Sequence, residues 1–206
     1  MRVLQCRNCS ISREAKPHAR RDPLLERRFV IPTGHLILFP GGVAPDGSGT
    51  GNNTAALSYE VSAAVQTTNT PKATQLKLLF DGTTDEHWMF SFLIPSDYSS
   101  GGTLRGEVKF TSATSGNAIM KGGQVTTVTD STDDDALTFA AGDLSAAIAA
   151  DATQGQTTAF TITLTATNML ANDKCVVFIG RDPDNASDDI TTDLELLALT
   201  LEYTTA

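Results

Sequence analysis

The run at 87–94 constrains the fold more than any other feature of this chain. Its large apolar side chains recur at every second position: Trp88, Phe90, Phe92 and Ile94. Successive side chains of a β-strand point to opposite faces, so this spacing predicts a strand that buries one face in a core. Pro95 has no amide hydrogen for a neighbouring strand and ends the run. The segment therefore predicts a central strand of an antiparallel β-protein.

The chain after residue 55 continues as short strands separated by turn residues. We predict eight strands, at 57–65, 75–80, 87–94, 103–113, 118–129, 157–166, 174–181 and 193–204. Eight strands in roughly 150 residues favour a two-sheet antiparallel β-sandwich of jelly-roll type, since immunoglobulin-like domains have about 100 residues. The Ala-rich segment 137–152 fits either a short helix or an irregular strand.

Period-two spacing also predicts which side chains fill the sandwich. We expect the core to include Trp88, Phe90, Phe92, Phe160, Ile162, Leu164, Val176, Phe178, Leu197, Leu199 and Leu201.

The first 54 residues differ from the rest in charge and composition. Residues 1–28 hold eight of the 15 basic residues and three of the 24 acidic ones, a net charge of +5, which leaves −14 on the remainder. Residues 40–54 include five Gly and two Pro, as is typical of a linker. We predict that 1–54 form an extended basic N-terminal arm, a short strand at 35–39 and a Gly-rich linker, and that 55–206 form the sandwich.

The basic arm could contact an acidic protein surface or nucleic acid, or it could remain a solvated tail. We expect any partner contacts to come from Arg20, Arg21, Leu24, Leu25, Arg27 and Arg28. The acidic body argues against nucleic acid as a ligand, because phosphate contacts need clustered Lys and Arg. No apolar run approaches the ~20 residues of a membrane-spanning helix, so we expect no membrane partner.

Few groups suited to catalysis occur in the sequence. None of the three His lies in a GxSxG, HExxH or P-loop motif, and we expect a protein that is not an enzyme. A pair of glycosidase carboxylates remains open, because its spacing depends on the fold. His87 is interpreted as a strand-edge residue. Cys175, in an apolar run, is predicted to be buried, and Cys6 and Cys9 supply only two of the four ligands of a structural zinc site.

Carboxylates cluster in three segments, at 81–86, 130–135 and 182–193. Calcium prefers oxygen ligands in such turns, and the third segment is the best calcium candidate of this chain. The predicted ligands are Asp182, Asp184, Asp188 and Asp189. The segment lacks the Gly and the closing Glu of an EF-hand, and a solvated loop with Asx turns is the alternative. We expect no other cofactor.

Two segments, DGTTDEHWMFSFLIPSDYSSGGTLRGEVKF and VFIGRDPDNASDDITTDLELLALTLEY, resemble β-sandwich proteins encoded in structural-gene clusters of tailed phages and prophages. In those chains an aromatic strand ending in Pro leads into a Gly-Gly turn, and a late Arg-Asp loop leads into a Leu-rich strand. The likeness covers roughly residues 75–113 and 173–204, at the level of pattern.

The resemblance implies a non-enzymatic virion protein, either a capsid decoration (cement) protein or another particle appendage. Its partner would be the major capsid protein or another virion protein, and it would form a homotrimer. The alternative is a glycan or cell-surface binding module, since jelly rolls often serve as lectins. Sugar binding usually needs exposed rings, and only Tyr98 is expected to be available.

Overall fold

The computed structural model describes residues 33–39, 41–42, 53–54, 56–61, 74–112, 115–127, 137–151, 153, 155–166 and 168–206. Every regular element among them is a β-strand. The strands are β1 (Thr33–Phe39), β2 (Asn53–Thr54), β3 (Ala56–Val61), β4 (Thr74–Phe80), β5 (Glu86–Leu93), β6 (Tyr98–Phe110), β7 (Asn117–Ala118), β8 (Met120–Thr127), β9 (Asp143–Leu144), β10 (Ile148–Ala149), β11 (Thr158–Thr163), β12 (Lys174–Arg181) and β13 (Leu194–Thr205). No helix in this part of the chain is long and apolar enough to cross a bilayer.

The strands form two main sheets. Sheet A has the order β11-β6-β13-β4-β3, with β1 also paired to β13, and sheet B has the order β2-β5-β12-β8-β9. All pairs are antiparallel except β2 with β5. β7 and β10 form a separate two-stranded sheet. Strands β4, β5, β6 and β8 lie alternately in sheets A and B, and so do β11, β12 and β13. Two packed, mainly antiparallel sheets with these crossovers confirm the predicted all-β sandwich of jelly-roll type.

The core lies between the two sheets and is built from their inward-facing side chains. Its fully buried members include Leu78, Phe80, Ile94, Leu104, Val108, Ile162, Val177, Ile179, Leu194, Leu196, Leu199 and Leu201. Burying a side chain of this size contributes about 1.5–3 kcal/mol. Trp88 closes one end, where its indole Nε1 donates a hydrogen bond to the Gly41 carbonyl at 2.8 Å.

The prediction for β13 is corrected at one position. The pairing of β13 with β6 shifts register between Leu196 and Ala198, so β13 contains an extra residue there. A bulge of this kind changes which alternate positions face inward. Leu196 before it and Leu199 after it are both fully buried, whereas Leu197, predicted to lie in the core, is half-buried.

The prediction of which β12 residues face the core is also wrong. Cys175, Val177 and Ile179 point into the core and are fully buried. Val176 is half-buried, and Phe178 lies on the opposite, outer face of sheet B. The run Cys-Val-Val-Phe-Ile is apolar at every position, so it carries no period-two signal from which to choose the inward set.

The domain boundary needs a correction at its N-terminal side. The strand predicted at 35–39 was placed outside the sandwich, but β1 pairs with β13 from Thr33 opposite Thr204 to Phe39 opposite Leu199. It is therefore part of sheet A. The arm residues predicted to contact a partner, at 20–28, lie outside the described residues and stay predictions.

The Ala-rich segment 137–152 forms no helix within its described residues. It contributes the short strands β9 and β10. Gly122 pairs with Asp143, and the Ser145 hydroxyl accepts a hydrogen bond from the Met120 amide at 3.0 Å. These contacts with β8 favour an extended backbone over a helix.

Candidate functional site

The outer face of sheet B presents side chains in rows across β5, β12 and β8. The strand register gives the rows His87–Gly180–Lys121, Met89–Phe178–Gly123 and Ser91–Val176–Val125. The intervening residues point into the core. Gly180 and Gly123 leave gaps in the first two rows, and these gaps shape the surface.

The Phe178 ring lies close to the backbone of Gly123 on this face. A Cβ on Gly123 would lie 2.5 Å from Cε1 of the Phe178 ring, so no larger residue fits without displacing the ring. The His87 ring meets Phe178 edge to face at 5.3 Å, and the Phe139 ring does so at 5.0 Å. Phe178 is only 5% exposed, although it lies outside the sandwich core.

A cavity of about 330 Å³ opens above these rings. It is lined by His87, Met89, Lys121, Phe139 and Phe178, and residues 140–142 form one wall. A second depression, of about 340 Å³, lies on the other side of Ala140 and Ala141. Phe139 is half-buried, so part of its ring remains open to a ligand.

Two titratable side chains line the cavity, His87 and Lys121, and their charges act on the nearby Asp85 carboxyl. Asp85 precedes His87 by two residues, and Asp182 follows the last residue of β12, Arg181. Burial raises the pKa of the Asp85 carboxyl, and the nearby Asp182 carboxylate raises it further. Burial also lowers the pKa of the His87 imidazole, which favours its neutral form.

One polar atom of the cavity wall and one of the neighbouring Asp85 have no hydrogen-bond partner among the described residues. Asp85 Oδ1 and His87 Nδ1 are buried without a partner. Buried polar atoms are nearly always paired, so such atoms beside a cavity indicate a binding site.

The predicted calcium ligands divide into two pairs. Asp188 accepts hydrogen bonds from Arg181 at 2.7 and 2.9 Å, and Asp189 accepts one from the Asn117 amide at 2.6 Å. Through these bonds, Asp188 and Asp189 anchor the loop after β12 to Arg181 and to the backbone at Asn117. Asp182, which is half-buried, and Asp184, which is exposed, instead act through their negative charges on the Asp85 carboxyl and raise its pKa beyond the effect of burial.

Among the residues described, no three His, Cys, Asp or Glu side chains are grouped to hold a metal ion. Calcium binding by the four aspartates therefore stays a prediction.

The aromatic part of this site is not among the sequence predictions. Period-two spacing predicts Phe178 in the core, and no predicted role falls on Phe139. The sequence signal for this site is glycine inside a strand, such as Gly123 in β8. Such a glycine often marks a place where a ligand or another part of the chain lies close to the strand backbone. The ring predicted to be available, Tyr98, is instead 8% exposed, because β6 begins at this residue and its ring packs 5.8 Å from Tyr203.

No family model matches the chain, and no curated protein matches it either. Similar solved structures exist. The xylan-binding domain CBM22-2 of Xyn10C from Paenibacillus barcinonensis is 11% identical, with a TM-score of 0.41 over 73% of this chain and 88% of that one. The CBM22-1 domain of the same protein is 12% identical, with a TM-score of 0.38 over 81% and 97%.

An arabinose-bound α-L-arabinofuranosidase, MgGH51, is 13% identical, with a TM-score of 0.41 over 71% of this chain. This chain spans 22% of that enzyme's length.

Proposed function

We propose that the protein is a non-catalytic binding module whose ligand is a glycan, held on the outer face of sheet B. The observation that carries this proposal is the juxtaposition in one cavity of the half-buried Phe139 with the His87 imidazole, whose Nδ1 is buried without a partner. Ligand pockets are typically apolar, with a few polar groups that fix the orientation of the ligand. The site has this composition.

A sugar ring suits both parts of the site. Its C–H face is apolar and can pack on the exposed part of the Phe139 ring, as other apolar groups do on aromatic side chains. Its hydroxyl groups can donate to the carboxylates of Asp85 and Asp182 and accept from the Lys121 ammonium. The bond to Asp85 would satisfy an oxygen that is otherwise buried without a partner, which is unfavourable by about 1–3 kcal/mol.

The second depression extends the surface available to the ligand. It adjoins the cavity across Ala140 and Ala141, so a ligand of several linked sugars could contact both. We therefore propose an oligosaccharide or polysaccharide chain as the ligand, in preference to a single sugar.

Isothermal titration calorimetry of the full chain against a panel of soluble polysaccharides tests this function. Phe139→Ala should weaken binding roughly 2- to 13-fold, which corresponds to about 0.5–1.5 kcal/mol for an aromatic contact. Ile37→Ala, at a residue of β1 that is 76% exposed, is the matched control and should bind as the parent does. Equal binding by all three proteins, or no binding to any glycan, would refute the proposal.

The absence of catalysis is part of the proposal and has its own measurement. Prolonged incubation of each bound glycan should release no new reducing ends or acyl groups. The appearance of either product would show that the protein is a hydrolase and not a binding module.

The virion assignment stays a prediction from the sequence resemblance. The resembling segments fold into β4 to β6 and β12 to β13, and they supply Asp85, His87 and Asp182 at the site. Mass spectrometry of purified particles tests this assignment. A homotrimer bound to the capsid should be present in a fixed ratio to the major capsid protein. A particle component and a glycan-binding module are compatible functions.

A further inference from the structure

Strand β1 lies at an edge of sheet A. It pairs with β13 along one side, and among the described residues no strand pairs with its other side. The backbone N–H and C=O groups along such a free edge can pair with a strand of another chain. Folded proteins usually prevent this by shortening the edge strand, by placing charged residues or Pro in it, or by covering it.

The other strands at the ends of the sheets have these protective features. β2, β7, β9 and β10 have two residues each. β3 contains Glu60. The segment 146–149 lies beside β11, since the two line one cavity together. β1 instead has seven residues, TGHLILF, without Pro, Asp, Glu, Lys or Arg. Its free edge is therefore suited to pairing with another strand.

The outer face of β1 carries an exposed apolar side chain. Ile37 is 76% exposed, more than any other large apolar side chain in the described part of the chain. The pairing of β1 with β13 keeps one register from Thr33 to Ile37 and shifts after it. These five residues are a regular template for a neighbouring strand, and Ile37 can pack against a side chain of that strand.

We propose that the free edge of β1 pairs in antiparallel orientation with β1 of a second copy of this chain, which joins the two A sheets into one across a two-fold axis. Such an axis makes the contact self-complementary, because each copy offers and receives the same edge. Centred on His35, the pairing places Ile37 of each copy opposite Thr33 of the other. Opposed side chains on one face of an antiparallel pair are close enough to pack together.

Charge favours β1 over the rest of the surface as the contact between copies. The chain after residue 28 carries a net charge of −14, so two copies repel each other. β1 contributes no Asp or Glu to the contact and brings no like charges into opposition there. A single strand pair is smaller than a stable interface of about 1,200–2,000 Å², and the dimer should therefore dissociate on dilution.

This dimer would form through sheet A, whereas the proposed glycan site lies on sheet B, so either can fail without the other. A two-fold dimer also differs from the homotrimer that the phage resemblance implies. The mass of the assembly distinguishes the two.

Analytical ultracentrifugation of the full chain over a wide concentration range tests the proposal. The mass should rise from that of one chain to that of two. Hydrogen exchange of residues 33–39, followed by mass spectrometry at both ends of the range, should be slower in the dimer, because amides on the free edge gain partners. A monomer at every concentration, a trimer, or a dimer without protection of 33–39 would overturn the proposal.

The variant Ile37→Glu should weaken the dimer at least about tenfold. The two-fold axis places the new carboxylates of both copies at the same strand pair, where like charges are unfavourable. The side chain is exposed in the single chain, so the fold should persist. Leu170→Glu adds the same charge at a leucine that is 60% exposed and is the matched control. It should dimerise as the parent does. Equal dimerisation by the two variants would refute pairing through β1.

Discussion

Replacing Arg181 by Met should cause one of the largest losses of stability available in this fold. Arg181 is the last residue of β12, and its fully buried guanidinium contacts the loop that joins β12 to β13, where the Asp188 side chain is 1% exposed. Two guanidinium N–H groups bind Asp188 at 2.7 and 2.9 Å, and others donate to the carbonyls of Thr192 and Ile190. Asp188 also accepts the Ile119 amide at 2.9 Å.

The magnitude follows from what the substitution leaves behind. Met is close to Arg in length and leaves the Asp188 carboxylate buried without its cation, and breaking a buried pair in this way costs about 3–5 kcal/mol. For a chain of 150–250 residues, about 1 kcal/mol shifts the melting temperature by roughly 2–4 °C. Calorimetry should therefore show a melting temperature lowered by roughly 6–20 °C, and urea unfolding an equivalent loss.

Arg105→Met is the matched control. Arg105 also pairs with a carboxylate, with its Nε 2.6 Å from Glu202 Oε1, but its side chain is 54% exposed. An exposed pair contributes only about 0–1 kcal/mol. The double variant Arg181→Met/Asp188→Leu should be less destabilised than the two single changes added together. A loss below about 1 kcal/mol for Arg181→Met, or simple additivity in the double variant, would refute the reasoning.

Three other changes have expected outcomes. Phe90→Ala should lower the free energy of unfolding by about 3–5 kcal/mol, because the ring is buried, and a loss within error in urea unfolding would contradict its assignment. Burial raises the pKa of the Cys175 thiol to about 11, so peptide mapping should find it unalkylated in the native protein at about pH 8 and alkylated after denaturation. The pKa of Asp85 is raised in the folded state, so its contribution to stability is full below the ordinary carboxyl pKa and is lost as pH rises through the folded value. Asp85→Asn does not titrate, and its melting temperature should rise relative to the parent between about pH 3 and pH 7; a constant difference would contradict the shift.

Strand positions could be predicted from the sequence because polar turn residues bound most of them. β12 was predicted at 174–181 and is found at Lys174–Arg181, and β5 was predicted within one residue at each end. Which alternate residues of a strand face the core can be predicted only where its two faces differ in hydrophobicity. Trp88 and Phe90 alternate with less apolar neighbours and were assigned correctly, whereas Phe178 has apolar residues on both sides and was not.

The candidate site could not be predicted because its parts are distant in sequence and carry no common pattern. His87, Phe139 and Phe178 lie in three separate segments that only the sandwich brings together. The bulge at Leu197 had no local signal either, since it depends on the pairing of β13 with β6. Carboxylate clustering was visible in the sequence, but the partner of each carboxylate was not.

The loop after β12 separates aspartates of identical chemistry into two environments. Asp188 has a cation and a backbone amide as partners, and Asp189 has a backbone amide. Asp184 is exposed and Asp182 is half-buried. Burial is the main cause of the raised pKa of the nearby Asp85 carboxyl, and the negative charges of Asp182 and Asp184 add to it. Like charges in proximity are unfavourable, so this side of the loop contributes less to stability than the side held by Asp188. Such local conflict is characteristic of functional sites, and the one buried oxygen without a partner, Asp85 Oδ1, is where a ligand would supply the missing donor.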